Sequence, residues 1–176
     1  MNYFQVFGLD VQFEIDTAKL AELFQALQKT VHPDRFAHAS SQEQLLAVQK
    51  SAMINDAYQT LKNPLKRADH LIKLRGIDMP SEQASFGDTS FLMRQMELRE
   101  MLDEVITADD SDAALLAINQ VIDTEYNSLF VNLQQLLATN SEQSNTLACD
   151  DLRKLKFYQK LHVELDRLED KLFDAD

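Results

Sequence analysis

Along most of the chain the apolar positions recur every three or four residues, which is the spacing of one face of a helix. Leu20, Leu23, Phe24, Leu27 and Val31 form the first such stripe. Asp16 can accept from the free N–H groups of a first turn, so a helix is predicted from about residue 17 to 31. Ahead of it, Tyr3 to Leu9 is a short apolar opening that reads as one helical turn closed by Gly8. Ser40-Ser41-Gln42-Glu43 has the form of a capping box and opens a second helix of roughly twenty residues. Its apolar stripe takes in Val48, Ala52, Ile54, Ala57, Tyr58 and Leu61. Asn63-Pro64 then reads as a cap with proline at the first helical position, where a missing N–H costs little. The shorter helix that follows carries Leu65, Ala68, Leu71, Ile72 and Leu74 and stops at Gly76. Two antiparallel helices joined by the His32–Ser40 connection make an αα-hairpin, with the short flanking segments over its open sides. The expected first domain is residues 1–76.

Residues 77–87, punctuated by Pro80 and Gly87, read as a connector. Asp88-Thr89-Ser90 offers caps for a helix to about Thr107, and the acidic run Asp109–Asp112 suits the positive start of another. That second helix is expected to reach about Ala138, with Tyr126, Leu129, Phe130, Leu133 and Leu137 on one face. Thr139–Thr146 is polar and is expected to be a mobile link. A last long helix carries Tyr158, Leu161, Leu165, Leu168 and Leu172, whose alternating spacing is the seam of an antiparallel bundle. The expected fold is all-α: a helical hairpin domain, then a three-helix bundle over residues 88–176.

Composition narrows the function classes. Three glycines and three prolines favour long helices over a turn-rich β architecture. A single Cys149 excludes an intrachain disulfide and suits a reducing, cytoplasmic setting. The four histidines are scattered, so no metal-ligand spacing appears and neither metal nor cofactor is expected. With no membrane-length apolar run and no signal-like start, no membrane partner is expected. A net charge of −12 argues against nucleic acid. That charge is divided unevenly: residues 1–76 carry a net +1 and residues 77–176 a net −13, which points to two parts with different partners.

Two stretches stand out. In Val31-His32-Pro33-Asp34-Arg35-Phe36, proline ends the helix and restricts the residue before it, holding His32 and Asp34 on a short rigid connection. Taken alone, the triplet is a helix stop with two solvated polar neighbours. The second stretch is the helix from residue 91. At about 100° per residue, Phe91, Leu98, Met101, Leu102 and Val105 fall on the side that packs. Opposite lie Met93, Met96, Glu97, Glu100 and Glu104, with Leu92 at the margin. A Met-rich face at one end suits adaptable protein binding; the alternative is that the connector folds back over Leu92, Met93 and Met96. Phe157 either extends this face or is a phenylalanine at the edge of the core.

Several features coincide in order: Tyr3-Phe4 with Gly8-Leu9, then His32-Pro33-Asp34-Arg35-Phe36, then Ile54-Asn55-Asp56-Ala57-Tyr58-Gln59-Thr60-Leu61, Asn63-Pro64 and Arg67-Ala68. Together they resemble a J-domain, the module that activates DnaK-type chaperone ATPases. Asp88-Thr89-Ser90-Phe91-Leu92-Met93, Glu97-Leu98-Arg99-Glu100 and Leu152-Arg153-Lys154-Leu155-Lys156-Phe157 extend the likeness to nearly the whole chain. It resembles the HscB family, the J-type co-chaperones of bacterial iron–sulfur cluster assembly. The resemblance implies that His32, Pro33 and Asp34, with Arg35 and Lys29, engage the ATPase HscA. It implies that Leu92, Met93, Met96, Glu97, Glu100, Glu104 and Phe157 bind the scaffold protein IscU. Met96 stands where a leucine is common, a volume-conserving change. The helix before the loop is poor in the cations usual there, which makes docking weaker or more salt-sensitive.

On this reading the chain has no catalytic group of its own. Three rivals remain in view. In the first, His32 and Asp34 act as an acid–base pair of an enzyme, but no nucleophile or third orienting group accompanies them. In the second, a general J-protein binds unfolded clients directly. In the third, a helical bundle serves a purely structural role.

Overall fold

The computed structural model describes residues 1–81, 84 and 86–174, and every regular element in it is helical. The chain divides into two compact units, Met1–Met79 and Pro80–Asp176. Of the stretch 77–87 read as a connector, residues 82, 83 and 85 lie outside the described residues.

The first unit holds α1 (Tyr3–Val6), α2 (Thr17–Thr30), a 3-10 turn (Pro33–Phe36), α3 (Ser41–Lys62) and α4 (Pro64–Leu74). Its caps are local sequence chemistry. Asp16 accepts from the Lys19 N–H, Ser40 and Glu43 close a reciprocal capping box, and Asn63 accepts from the N–H groups of Leu65 and Lys66. Phe4, Leu20, Ala57, Leu61, Ala68, Leu71 and Ile72 are completely buried and form the hairpin's core. The α3 stripe is narrower than its sequence implies. Ala47, Ile54, Ala57 and Leu61 are buried, whereas Val48 is 58% exposed and Ala52 is exposed. Val48 follows Ala47 by one residue and so stands about 100° around the helix from the buried line.

Arg67 joins α4 to the rest of this unit. Its Nε donates to the Phe13 carbonyl at 2.8 Å and its Nη1 to the Leu61 carbonyl at 2.6 Å, and its guanidinium lies 4.8 Å from the Phe13 ring centroid. Leu61 sits in the last turn of α3, where carbonyls lack helical partners, so the buried cation satisfies an orphan acceptor and is itself hydrogen-bonded.

His70 ties down α1. Its Nε2 accepts from the Tyr3 N–H at 3.3 Å, and its ring stacks on Tyr3 at 4.6 Å. Burial, then the Lys73 ammonium, hold its pKa below the ordinary 6.5, against the smaller opposing pull of Asp69. The unfolded chain therefore takes up this proton first, so the stabilisation is complete above about pH 6.5 and is lost as pH falls through the folded value. The melting temperature of the wild-type chain is expected to fall more than that of His70→Gln between neutral pH and about pH 5. Parallel pH profiles would show that the ring does not anchor α1.

The second unit is α5 (Thr89–Thr107), α6 (Ser111–Thr139) and α7 (Glu142–Asp174). Asp88 and Asp110 are the N-caps of α5 and α6. Phe91, Leu98 and Val105 of α5 meet Leu115, Ile118 and Ile122 of α6 and Tyr158, Leu161 and Leu165 of α7 in one core. Tyr126, Leu129, Leu168 and Leu172 are only partly buried against it. The stretch Thr139–Thr146, expected as a mobile polar link, is instead a tight reversal. Asn140 adopts the left-handed conformation at φ 47°, and α7 is already helical at Glu142. Ser141 and Ser144 exchange backbone-to-hydroxyl hydrogen bonds at 2.8 and 3.0 Å, and Ser144 and Asn145 are buried. Asparagine tolerates this conformation better than most residues, so one position reverses the chain.

Candidate partner-binding surfaces

The first candidate surface is the turn between α2 and α3. His32 caps the 3-10 turn, its Nδ1 accepting from the Asp34 N–H at 3.3 Å, while the Arg35 N–H donates to the His32 carbonyl at 3.0 Å. The Asp34 carboxylate lies 3.5 Å from the His32 ring nitrogen, and the two side chains are 93% and 60% exposed. Pro33 and Arg35 are exposed as well, and Lys29 is exposed in the last turn of α2. The turn is thus shaped by the His32 ring nitrogen and its own backbone, with the side chains of His32, Pro33, Asp34 and Arg35 exposed.

What holds the turn in place is not evident from the triplet. The Gln44 amide, from the first turns of α3, donates to the carbonyls of Phe36, Ala37 and Ala39 at 2.9, 3.5 and 3.4 Å. Behind it, Gln28 and Ser51 exchange hydrogen bonds at 3.2 and 2.9 Å, and Phe24 stacks on Tyr58 at 4.1 Å, so α2 and α3 are clamped together. An open groove of about 700 Å³ runs beside the turn, with Val31, Pro33, Phe36, Ala47 and Val48 among its walls.

The second candidate surface is the outer face of α5. Leu92, Met93 and Met96 are 56%, 63% and 62% exposed, so this apolar end is open among the described residues. Glu97, Glu100 and Glu104 continue the stripe and are exposed. Phe157 is half-buried at the core's edge, perpendicular to Phe91 with ring centroids 5.7 Å apart.

Arginines hold both rims of this face. Arg94 reaches α6, donating from Nε to Glu125 at 2.9 Å, and also pairs with Glu97 at 2.8 Å. Tyr158 donates its hydroxyl proton to the other oxygen of Glu125. Hydrogen bonds to Glu125 and Glu97 hold the Arg94 pKa above its ordinary value. Burial, then the bond to Glu125, push the Tyr158 phenol up. On the other rim, Arg99 pairs with Glu164 of α7 and lies over the Phe157 ring. Glu97 therefore shares the Arg94 cation with Glu125, whereas Glu100 and Glu104 have no ion-pair partner among the described residues.

Among the described residues there is no cluster of side chains able to hold a metal ion, and no helix is long and apolar enough to cross a membrane. Cys149 is buried.

Comparison with known proteins decides the family. Residues 87–166 match the family model described as the HSCB C-terminal oligomerisation domain. The Co-chaperone protein HscB homolog of Colwellia psychrerythraea is 61% identical over 174 residues, covering 99% of both chains. The chain belongs to the HscB co-chaperone family. The HscB homolog of Shewanella amazonensis is 47% identical, over 99% of this chain and all of that one. Among solved structures, chaperone HscB from Vibrio cholerae superposes with a TM-score of 0.87 at 48% identity, covering 98% of this chain and 99% of that one. Human co-chaperone protein HscB gives 0.86 at 28% identity, over 96% and 82% of the two chains. The HscB structures share the all-helical fold of a J-domain followed by a bundle. These HscB relatives are named as co-chaperones.

Proposed function

We propose that the chain is a two-ended adaptor of cytoplasmic iron–sulfur cluster assembly. The turn at His32, Pro33 and Asp34, flanked by Lys29 and Arg35, engages HscA and stimulates its ATP hydrolysis, while the α5 face delivers IscU. The observation that carries this reading is the open apolar end of α5. Leu92, Met93 and Met96 are all more than half exposed on a well-packed bundle, and an uncovered cluster of large apolar side chains marks an interaction site more often than a random surface does. Phe157 borders this end, and Glu97, Glu100 and Glu104 extend it with negative charge, so it suits a partner segment with apolar anchors followed by cations.

The chain needs no catalytic residue for this role. Contact at the turn raises HscA turnover by binding one HscA conformation better than another, which shifts that protein's equilibrium. The α5 face supplies selectivity: cargo held there is brought to HscA when hydrolysis is triggered.

The functional test is HscA ATPase measured with the chain, with IscU and with both. The proposal expects stimulation by the chain alone and a larger stimulation by the pair; no effect of the chain on HscA turnover would contradict it.

A finer expectation follows from the rim ion pairs. Because Arg94, shared with Glu125, already holds Glu97, the unpaired Glu100 and Glu104 should carry most of the electrostatic attraction to IscU. Glu100→Gln with Glu104→Gln is expected to weaken binding by about fivefold to tenfold at low salt and to flatten its salt dependence. Glu97→Gln should change it by less than about twofold. Calorimetric titrations at two ionic strengths check this; equal losses for the three glutamates would contradict it.

A further inference from the structure

Arg99 is surface-exposed and would ordinarily pass as half of an exposed ion pair, an interaction of small effect. Its position argues for more. It follows Leu92 by seven residues and Met96 by three, so all three share the rim of α5 that faces α7. Its guanidinium carbon lies 5.7 Å from the centroid of the Phe157 ring, and Nη1 donates to Oε2 of Glu164. Glu164 follows Phe157 by seven residues, two turns along the same side of α7. The Phe157 ring is therefore bounded by Phe91, perpendicular to it at 5.7 Å, and by the Arg99 cation.

We propose that Arg99 is a positioning residue for cargo docking: braced by Glu164, it fixes the Phe157 ring at the edge of the apolar face that Leu92 and Met96 begin. This rests on the reading of the α5 face as the IscU surface. Two physical effects act together. The cation is attracted to the ring's electron-rich face and disfavours rotamers that turn the ring away. The bond to Glu164 also draws Arg99 away from Asp103, its neighbour four residues on along α5 and its natural alternative partner. Without that brace the guanidinium would leave the ring for Asp103.

The test is a double-mutant cycle on IscU affinity, measured by calorimetry with the full chain. Arg99→Gln and Glu164→Gln are each expected to weaken binding about threefold to fivefold, without lowering the melting temperature. Arg99→Lys keeps a cation over the ring and should retain most of the affinity. In a Phe157→Ala background, Arg99→Gln should cost nothing further, because the residue acts through the ring. An unchanged affinity for Arg99→Gln overturns the inference. So does a loss that adds in full to that of Phe157→Ala, which would make Arg99 an independent contact. If Phe157→Ala and the paired Leu92→Ala and Met93→Ala changes all leave affinity intact, the assignment of the face itself has failed.

Discussion

Asp34→Ala is expected to reduce the chain's stimulation of HscA ATPase at least about tenfold while leaving its fold intact. The two halves of that expectation have separate grounds. The Asp34 side chain is 93% exposed and its carboxylate only borders the His32 ring at 3.5 Å. The turn's own bonds do not use the Asp34 carboxylate: the Asp34 N–H donates to His32 Nδ1 and the Arg35 N–H to the His32 carbonyl. Truncating the carboxylate removes none of them, so stability should move by no more than about 0.5 kcal/mol. A charge presented on a rigid turn and buried by a partner has the profile of an interface hot spot, where truncation costs about 2 kcal/mol or more. Single-turnover ATPase titrations, with a thermal melt of the variant alongside, measure both. Full stimulation by a folded Asp34→Ala chain would remove the turn from the mechanism.

Leu92→Ala combined with Met93→Ala is expected to weaken IscU binding at least about thirtyfold and to leave IscU-independent stimulation of HscA unchanged. Both side chains are more than half exposed in the free chain, so their truncation opens no cavity in the core formed by Phe91, Leu98 and Val105. On docking they would lose that exposed surface. Burying a Leu or Met side chain contributes about 1.5–3 kcal/mol when complete, so two partly buried ones together supply about 2 kcal/mol. That energy is about a thirtyfold change in affinity. The specificity of the effect is the informative part: a general loss of both activities would indicate unfolding, and an unchanged affinity would place the cargo elsewhere.

Much of the architecture was legible because it rests on short-range chemistry. Asp16, Ser40, Asn63, Asp88 and Asp110 all cap the helices their sequence context implies. The opposed stripes of α5 follow from helical geometry alone, and the structure buries Phe91, Leu98 and Val105 while leaving Leu92, Met93 and Met96 open. What escaped depends on tertiary contact or on a single dihedral angle. Val48 looked like core because a stripe read from spacing has no sharp edge, and only the approach of α2 defines one. The reversal at Asn140 turns on one left-handed residue inside a polar run, which periodicity cannot see. The rim arginines were invisible for a similar reason. Arg94 finds Glu125 across 31 residues of sequence and Arg99 finds Glu164 across 65. Gln44 is closer in sequence to the loop it holds, but a glutamine in a helix's first turn carries no signal of that role.

The central claim is that the two surfaces act on one chain. A mixing experiment tests it directly. Asp34→Ala keeps the cargo face and lacks the trigger; the Leu92→Ala, Met93→Ala chain keeps the trigger and lacks the cargo face. HscA ATPase is measured with IscU and either wild-type chain or an equal mixture of these two variants, all at concentrations below saturation. The account predicts the added stimulation by IscU with the wild-type chain and its absence with the mixture, because neither variant can hold cargo and trigger hydrolysis at once. Recovery of the full stimulation by the mixture would show that the surfaces work independently and would contradict the adaptor.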